Sequence, residues 1–340
     1  MSPTDWIDVV VSTITRETAD IYVYELRSTN ETPLPAFSAG AHIVVHLPDG
    51  LVRSYSLCNS QDERDRYVVA VARSTTVGGG SSRMHDTVNV GDTLKLGAPH
   101  NNFPLKEDAN HTVLIAGGIG VTPIWCMAQR LQQLGRSWEF IYCARTRDQT
   151  AFLQQLSAPP YVTKVRFNFD AEPGGAMLDI GSVVGGISES AHIYCCGPTG
   201  MLNAFEDATR TRTRGTAHLE RFAAIDAPAT SGGFTVKMAR SGKEVHVTKG
   251  KTILDALLEI KIQAAYSCME GTCGECLTKV ISGVPDHRDV YLNDEEHAAN
   301  DRMTICCSGS KTDCLVLDIY GMRYEARPIP RQTTGGRPQI

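Results

Sequence analysis

The chain has 340 residues, which allows roughly two to three domains of ordinary size. Its hydrophobic content of 42% and charged content of 21% are those of a globular protein with several cores, and its net charge of −5 gives no electrostatic reason to bind nucleic acid or an anionic membrane. The opening MSPTDWIDVV lacks the basic and apolar regions of a secretion signal, and no apolar run reaches the roughly 18 residues of a membrane helix, so a cytoplasmic location is expected.

The first hundred residues read as short strands separated by turns. HIVVHL (42–47), VRSYSL (52–57) and YVVAVAR (67–73) are rich in Val and Tyr, and helical periodicity is nearly absent. A small antiparallel β-barrel is expected over residues 1–107. From about Asn110 the pattern changes to strands alternating with helices. TVLIAGG (112–118) runs into an amphipathic helix at 123–135, and strands follow at 138–145, 164–170 and 191–197, the last leading into a helix at TGMLNAFEDATR. That alternation predicts a parallel, doubly wound α/β sheet over 108–225. DAPATSGG (226–233) has the composition of a linker. Beyond it come two strands around a Ser-Gly turn, a helix at TILDALLEIKI, a cysteine-rich loop and a last strand at CLVLDIY. These predict a small α+β domain, β-grasp-like, over 234–322, followed by a disordered tail at 323–340.

Eleven cysteines need an explanation in a chain with no secretion signal, where disulfides are rare. Cys268, Cys273, Cys276, Cys306, Cys307 and Cys314 all lie in the last quarter, which suggests metal ligation. The segment CMEGTCGEC spaces Cys268, Cys273 and Cys276 as C-x4-C-x2-C, the spacing of plant-type [2Fe–2S] ferredoxins. A fourth thiolate is required, and Cys306 is the candidate. Cys307 is its rival, since only one of two neighbours on a strand can point inward. Zinc is the alternative metal, but paired C-x2–4-C ligands suit it better than three thiols in one loop. Cys314, Cys58, Cys126, Cys143 and Cys195 are expected to be buried packing residues.

On a strand, Arg53, Tyr55 and Leu57 share one face, with Ser54 and Ser56 on the other. A guanidinium suits a phosphate, a phenol ring suits stacking on a flat heterocycle, and a serine hydroxyl can reach a ring nitrogen. Gly78-Gly79-Gly80-Ser81-Ser82 would open a short helix with free N–H groups for a phosphate. GGIGVTP (117–123) follows a strand and precedes a helix, the context in which a glycine turn binds a nucleotide, although the full G-x-G-x-x-G is absent. Cys196-Gly197-Pro198 ends another strand of that sheet, and ligands of open α/β sheets sit at the carboxyl ends of strands.

Together these segments resemble the phthalate dioxygenase reductase family, over about residues 5–322. RSYSL resembles its flavin motif, GGGSSRMHD its phosphate turn, GGIGVTPI and YCCGP its nicotinamide loops, and SCMEGTCGEC with PDHRD and ICCS its ferredoxin module. The resemblance implies an NADH-dependent oxidoreductase with FMN and a [2Fe–2S] cluster, FMN because the ferredoxin domain is C-terminal. It implies a partner terminal oxygenase with a Rieske centre, acting on an aromatic or similar small substrate; a monomer is expected. It assigns Arg53, Gly79, Gly80 and Ser81 to the flavin phosphate, and Tyr55 and Ser56 to the flavin ring. It assigns Gly118, Gly120 and Thr122 to the dinucleotide, Cys196, with Gly197 and Pro198, to the nicotinamide, and Phe222 to a flavin-covering aromatic. Cys268, Cys273, Cys276 and Cys306 would hold the cluster, and Ser56, Cys196 and Phe222 would stand at the reacting atoms. Thr272, Glu275 and His100 depart from the family's common residues without removing a ligand. A reductase with another acceptor, or a zinc-stapled interaction protein on an inactive reductase fold, are the alternative readings.

Overall fold

The fold is given by a computed structural model that describes residues 6–30, 32–47, 51–73, 80–222, 227–262, 264–266, 268–272, 274–292 and 294–319. Gly79, Cys273 and the whole tail expected at 323–340 lie outside the described residues.

The first sheet is antiparallel and contains β1 (Ile7–Arg16), β2 (Ile21–Ser28), β3 (His42–His46), β4 (Val52–Ser56), β5 (Tyr67–Ala72) and β6 (Thr93–Leu96). Their spatial order is β4-β3-β6-β1-β2-β5. The two ends of that order meet. Leu57, just past β4, bridges Val69 of β5, and the Cys58 N–H donates to the Val68 carbonyl at 2.9 Å. The sheet therefore closes on itself as the expected barrel, with no open edge along that seam. Helix α1 (Gly80–Thr87) is tied to the barrel by buried Met84, whose carbonyl accepts from the Tyr24 hydroxyl at 3.1 Å.

The second sheet holds β7 (Thr112–Gly117), β8 (Trp138–Ala144), β9 (Val165–Phe169), β10 (His192–Cys196) and β11 (Ala217–Glu220). It is parallel throughout, in the order β11-β10-β7-β8-β9. The connecting helices are α2 (Val121–Gln133), α3 (Leu153–Leu156), α4 (Ile180–Gly185) and α5 (Thr199–Thr209). All of β7 is buried, as a central strand with both faces covered must be. Leu114 and Ala116 pack with α2, while Val113 and Ile115 pack with Val184, Leu202 and Phe205 on the other face. This is the period-two alternation of a strand between two helical layers.

The barrel and the parallel sheet share one apolar core through α2. A Cβ at Gly40 would stand 1.9 Å from the Phe103 carbonyl oxygen and 3.0 Å from Met127 Cε, so only glycine permits this approach. The Gln129 amide donates to the Cys58 carbonyl at 2.8 Å across the same junction.

The third unit has its own core. It consists of β12 (Phe234–Met238), β13 (Glu244–Val247), α6 (Ile253–Glu259), β14 (Leu277–Ser282), β15 (Pro285–Asp286), α7 (Asp294–Ala299), β16 (Arg302–Thr304), β17 (Gly309–Ser310) and β18 (Cys314–Leu317). The main sheet runs β13-β12-β18-β14-β16, and β15 pairs with β17. A reciprocal capping box starts α6: the Asp255 N–H donates to Thr252 Oγ1 at 3.1 Å, and the Thr252 N–H donates to Asp255 Oδ2 at 3.0 Å. The helix then buries Ile253, Leu254, Ala256 and Leu257 in the domain core. Cys314 corrects the sequence reading. It is exposed, because the alternation of β18 points Leu315 and Leu317 inward and leaves Cys314 in the outward phase. Cys58, Cys126, Cys143 and Cys195 are buried.

Candidate active site

A cavity of about 690 Å³ lies where the three units converge. Its wall includes Arg53, Ser54, Tyr55 and Ser56 of β4, Ser81 of α1, Ile119 and Thr122 of the glycine turn, Glu220, Arg221 and Phe222, and Cys268, Glu270 and Thr272 of the cysteine loop. The size suits a cofactor-sized ligand. Arg53, Tyr55 and Ser56, the β4 residues assigned to the flavin from the sequence, all line the cavity, and Ser54 lines it with them.

The β4 lining fits a flavin. The Ser54 and Tyr55 hydroxyls are buried with no hydrogen-bond partner among the described residues, and burial raises the Tyr55 phenol well above its ordinary range. Orphaned polar groups in a cavity wall are donors awaiting a ligand. Arg53 Nη1 donates to the neighbouring Val52 carbonyl at 2.8 Å, which steadies a guanidinium at the cavity. Phe222 lines the same cavity and is 37% exposed, an aromatic at its mouth.

The two loops of the parallel sheet meet. A Cβ on Gly120 would lie 2.2 Å from the Cys196 carbonyl oxygen and 2.7 Å from Gly197 N. One on Gly197 would lie 2.8 Å from Met201 Sδ and 3.1 Å from Gly117 Cα, and one on Gly117 would lie 2.6 Å from Pro198 Cδ. These glycines let the 117–120 and 196–198 loops touch at the carboxyl ends of β7 and β10. At that point the connections from β7 and from β10 run to opposite sides of the sheet, the usual ligand crevice of such sheets. Gly118 has φ +53° and its Tyr142-bound carbonyl (3.2 Å) fixes the turn, while the Thr122 hydroxyl donates to the Ile119 carbonyl at 3.0 Å. Cys196 itself is 1% exposed, and its side chain packs in the main apolar core rather than lining the cavity. Burial holds its thiol protonated, with Glu220 adding to the effect.

Sequence reasoning missed two carboxyls at this site. Glu220 pairs with Cys196 in the β10–β11 register, and its Oε2 is buried with no partner among the described residues; burial pushes its pKa up to about 8. Glu270 is pushed up to about 7 by burial and then by Cys268, with Arg53 opposing. Glu220 sits inside HLERF, two residues before Phe222, and that proximity was the usable signal; Glu270 had none apart from its cysteine neighbours.

In the cysteine loop, Met269, Gly271 and Gly274 all take positive φ, curling the backbone around its own thiols. The Glu270 and Thr272 N–H groups donate to Cys268 Sγ, each at 3.4 Å. Cys306 Sγ lies within hydrogen-bonding reach of Cys268, Cys276 and Cys307, so three of the four expected ligands converge. Cys273 lies outside the described residues. The Cys307 thiol contacts Thr304 Oγ1 at 3.2 Å and packs beneath Gly271, where a Cβ would stand 2.4 Å from its sulfur. Both cysteines follow β16 in a turn, so the turn rather than strand alternation separates their directions. Three buried thiols with inward N–H groups fit an iron–sulfur cluster, whose sulfurs carry negative charge.

Residues 8–104 match the family described as oxidoreductase FAD-binding domain, and residues 236–310 match the family described as 2Fe-2S iron-sulfur cluster binding domain. The chain is 47% identical over 300 residues to a phenoxybenzoate dioxygenase subunit beta of Ectopseudomonas oleovorans, covering 88% of this chain and 93% of that one. It is also 47% identical over 322 residues to a tetrachlorobenzoquinone reductase of Sphingobium chlorophenolicum, covering 94% and 99%. Among solved structures, a phthalate dioxygenase reductase, described as a modular structure for electron transfer from pyridine nucleotides to [2Fe–2S], superposes with a TM-score of 0.78 at 36% identity. That match covers 92% of this chain and 98% of the other. At such identity across nearly the whole of both chains, the protein is an oxidoreductase with flavin and iron–sulfur domains, and it belongs to the phthalate dioxygenase reductase family.

Proposed function

We propose that this chain carries electrons from NADH through FMN and a [2Fe–2S] cluster to a terminal oxygenase with a Rieske centre, working as a cytoplasmic monomer on the pathway of an aromatic or similar small substrate. The observation that carries the reading is the shared wall: Arg53, Tyr55 and Ser56 border the same cavity as Cys268, Glu270 and Thr272. A bound flavin accepts electrons in pairs and passes them on singly, which is what a one-electron cluster requires.

The chain's own residues set position and access. Arg53, Gly79, Gly80 and Ser81 would hold the flavin phosphate. The Tyr55 ring would stack on the flavin, and the Ser54 and Ser56 hydroxyls would hydrogen-bond its polar edge. Phe222 would cover the other side until the nicotinamide arrives, keeping water out. Gly118, Gly120 and Thr122 would shape the dinucleotide crevice, with Gly197 and Pro198 forming its opposite lip above Cys196. Cys268, Cys273, Cys276 and Cys306 would hold the cluster. The C-terminal place of the ferredoxin domain supports FMN over FAD.

Analysis of the purified protein tests the cofactors: FMN as the released flavin, with iron and acid-labile sulfide in equal amounts. Zinc without sulfide, or FAD as the released flavin, would overturn the corresponding part. Mixing the protein with NADH and purified candidate oxygenases tests the partner, with substrate hydroxylation as the readout. The equal identity to a relative named tetrachlorobenzoquinone reductase supports a second reading, in which a small quinone is the acceptor. NADH-dependent quinone reduction that survives loss of the cluster would favour it.

A further inference from the structure

We propose that His287, Asp289 and His297 form a binding site for a divalent cation of the zinc class, separate from the cysteine loop. Each offers one ligand atom, and the three atoms lie within 4.8 Å of one another. His287 and Asp289 come from the segment after β15, and His297 comes from α7, so an ion here would tie that segment to the helix that follows it.

Two of the three separations are longer than direct hydrogen bonds and close to those of ligands around one ion. His297 Nε2 is 3.4 Å from Asp289 Oδ1, and His287 Nδ1 is 3.7 Å from the same oxygen. A direct N–H···O bond would bring such pairs to about 2.7–3.2 Å. Ligands at about 2.0–2.1 Å in a tetrahedron stand roughly 3.3 Å apart. The two imidazoles stack, with ring centroids 4.4 Å apart and planes 26° from parallel.

A second observation points independently to a ligand. The His287 side chain is only 9% exposed, yet neither of its ring nitrogens has a hydrogen-bond partner among the described residues; Asn300 lies nearby but out of bonding geometry. His297 Nε2 is likewise without one. Buried polar nitrogens without partners cost free energy unless something absent from the protein satisfies them.

Asp289 is prepared as a ligand. Its side chain is fully buried; Oδ2 accepts the Leu292 N–H at 2.9 Å, and Oδ1 accepts the Ser308 hydroxyl at 3.3 Å. Such outer hydrogen bonds orient a ligating carboxylate. His297 is 26% exposed as a side chain, yet its Nε2 is buried at the site. Two imidazoles and one carboxylate suit zinc better than calcium or magnesium, which prefer oxygen alone.

The ion would brace the cysteine loop from behind. The Val290 N–H donates to the Gly271 carbonyl at 3.1 Å, and a Cβ on Gly271 would stand 3.0 Å from Asp289 Cα. Fixing Asp289 therefore fixes the surface on which that loop rests.

The test uses the full-length protein with its flavin and iron–sulfur cluster in place. It is dialysed against a chelator under conditions that leave iron and sulfide unchanged, then titrated with Zn2+ by calorimetry. The expected result is saturable binding stoichiometric with the chain, a raised Tm and unchanged iron content. His297→Ala, at the solvent side of the site, and His287→Ala should each weaken binding by more than about tenfold and abolish the Tm shift, while flavin, iron and sulfide stay as in the parent. No saturable binding to the parent, parent-like binding by both variants, or zinc uptake matched by loss of iron would each overturn the proposal. If His287→Ala fails to fold, His297→Ala alone decides.

Discussion

Arg53 on β4 and Glu270 in the cysteine loop line the same cavity, and the guanidinium opposes the rise that burial imposes on the Glu270 carboxyl. Residues far apart in sequence thus share one electrostatic environment. The loop that holds the thiols forms part of the wall of the flavin cavity, so electrons leaving that cavity need cross no intervening domain.

Arg53→Ala should weaken FMN binding by roughly 10- to 100-fold, the effect of losing a charged hydrogen bond of about 1.5–3 kcal/mol to a phosphate. Because Arg53 also meets Glu270 and Cys268 only through the cavity, iron content should remain unchanged. Flavin release during gel filtration and fluorescence titration with free FMN are the measurements. Unchanged affinity would remove Arg53 from the phosphate site.

Gly120→Ala should separate the two nucleotide loops. The added Cβ would meet the Cys196 carbonyl oxygen at 2.2 Å, and backbone cannot yield as a flexible side chain can. Overpacking of this kind costs about 1–3 kcal/mol of stability. The expected kinetic signature is a fall of at least about tenfold in kcat/KM for NADH with flavin and iron content retained. Steady-state kinetics with ferricyanide as acceptor would reveal it.

The protein should prefer NADH to NADPH. In doubly wound folds the ribose is read just past the second strand, where Arg145 and Arg147 stand. Arg147 is already engaged: its guanidinium lies 4.6 Å from the Phe169 ring centroid and its Nε is 3.5 Å from Glu172 Oε2, while its N–H donates to Glu172 Oε1 at 2.9 Å. The Glu172 carboxylate would repel a 2′-phosphate. Glu172→Gln should therefore raise kcat/KM for NADPH relative to NADH, and an unchanged ratio would show that the specificity is set elsewhere.

Glu220 should make stability depend on pH. Burial lifts its pKa from 4.5 to about 8, so between those values the folded protein binds more protons than the unfolded chain. Stability must then fall as pH rises through that window and level off above about 8, by a few kcal/mol in all at about 1.4 kcal/mol per unit. Glu220→Gln keeps the shape and loses the proton, so its denaturation midpoint should be flatter than the parent's across the same range. Parallel curves for the two proteins would mean that Glu220 is ionised in the fold.

The parts of this site that were legible in the sequence are those in which one short segment carries its own chemistry. The C-x4-C-x2-C spacing announces a cluster because a single loop supplies three thiols. Arg53, Tyr55 and Ser56 could be read together because one strand presents them. The contact of Gly120 with Cys196, the entry of Glu220 and Glu270 into the flavin cavity, and the meeting of His287 with His297 join separate elements, and no local pattern encodes them. β1 went unread in the sequence, and a bulge between Val11 and Thr13 breaks its alternation. Cys314 was misread for a related reason: its neighbours are apolar, but strand phase rather than neighbourhood decides which side chain is buried.

The sharpest test of electron order lies in the adjacent pair Cys306 and Cys307. Cys306 Sγ reaches towards Cys268 and Cys276, whereas the Cys307 sulfur contacts the Thr304 hydroxyl and sits under Gly271. Cys306→Ser should therefore abolish the iron and sulfide, while Cys307→Ser should retain them. The third unit has its own hydrophobic core, separate from the core shared by the barrel and the parallel sheet. Damage to the cluster should accordingly leave the flavin cavity intact. In the Cys306→Ser protein NADH should still bleach the flavin in stopped-flow measurements, and ferricyanide, which can take electrons from flavin, should still be reduced. Reduction of cytochrome c and support of the oxygenase should be lost, because both draw on the cluster. If FMN stays bound to this variant and NADH no longer bleaches it, electrons do not pass from NADH to flavin to cluster in that order. If Cys307→Ser loses the cluster and Cys306→Ser keeps it, the fourth ligand is Cys307.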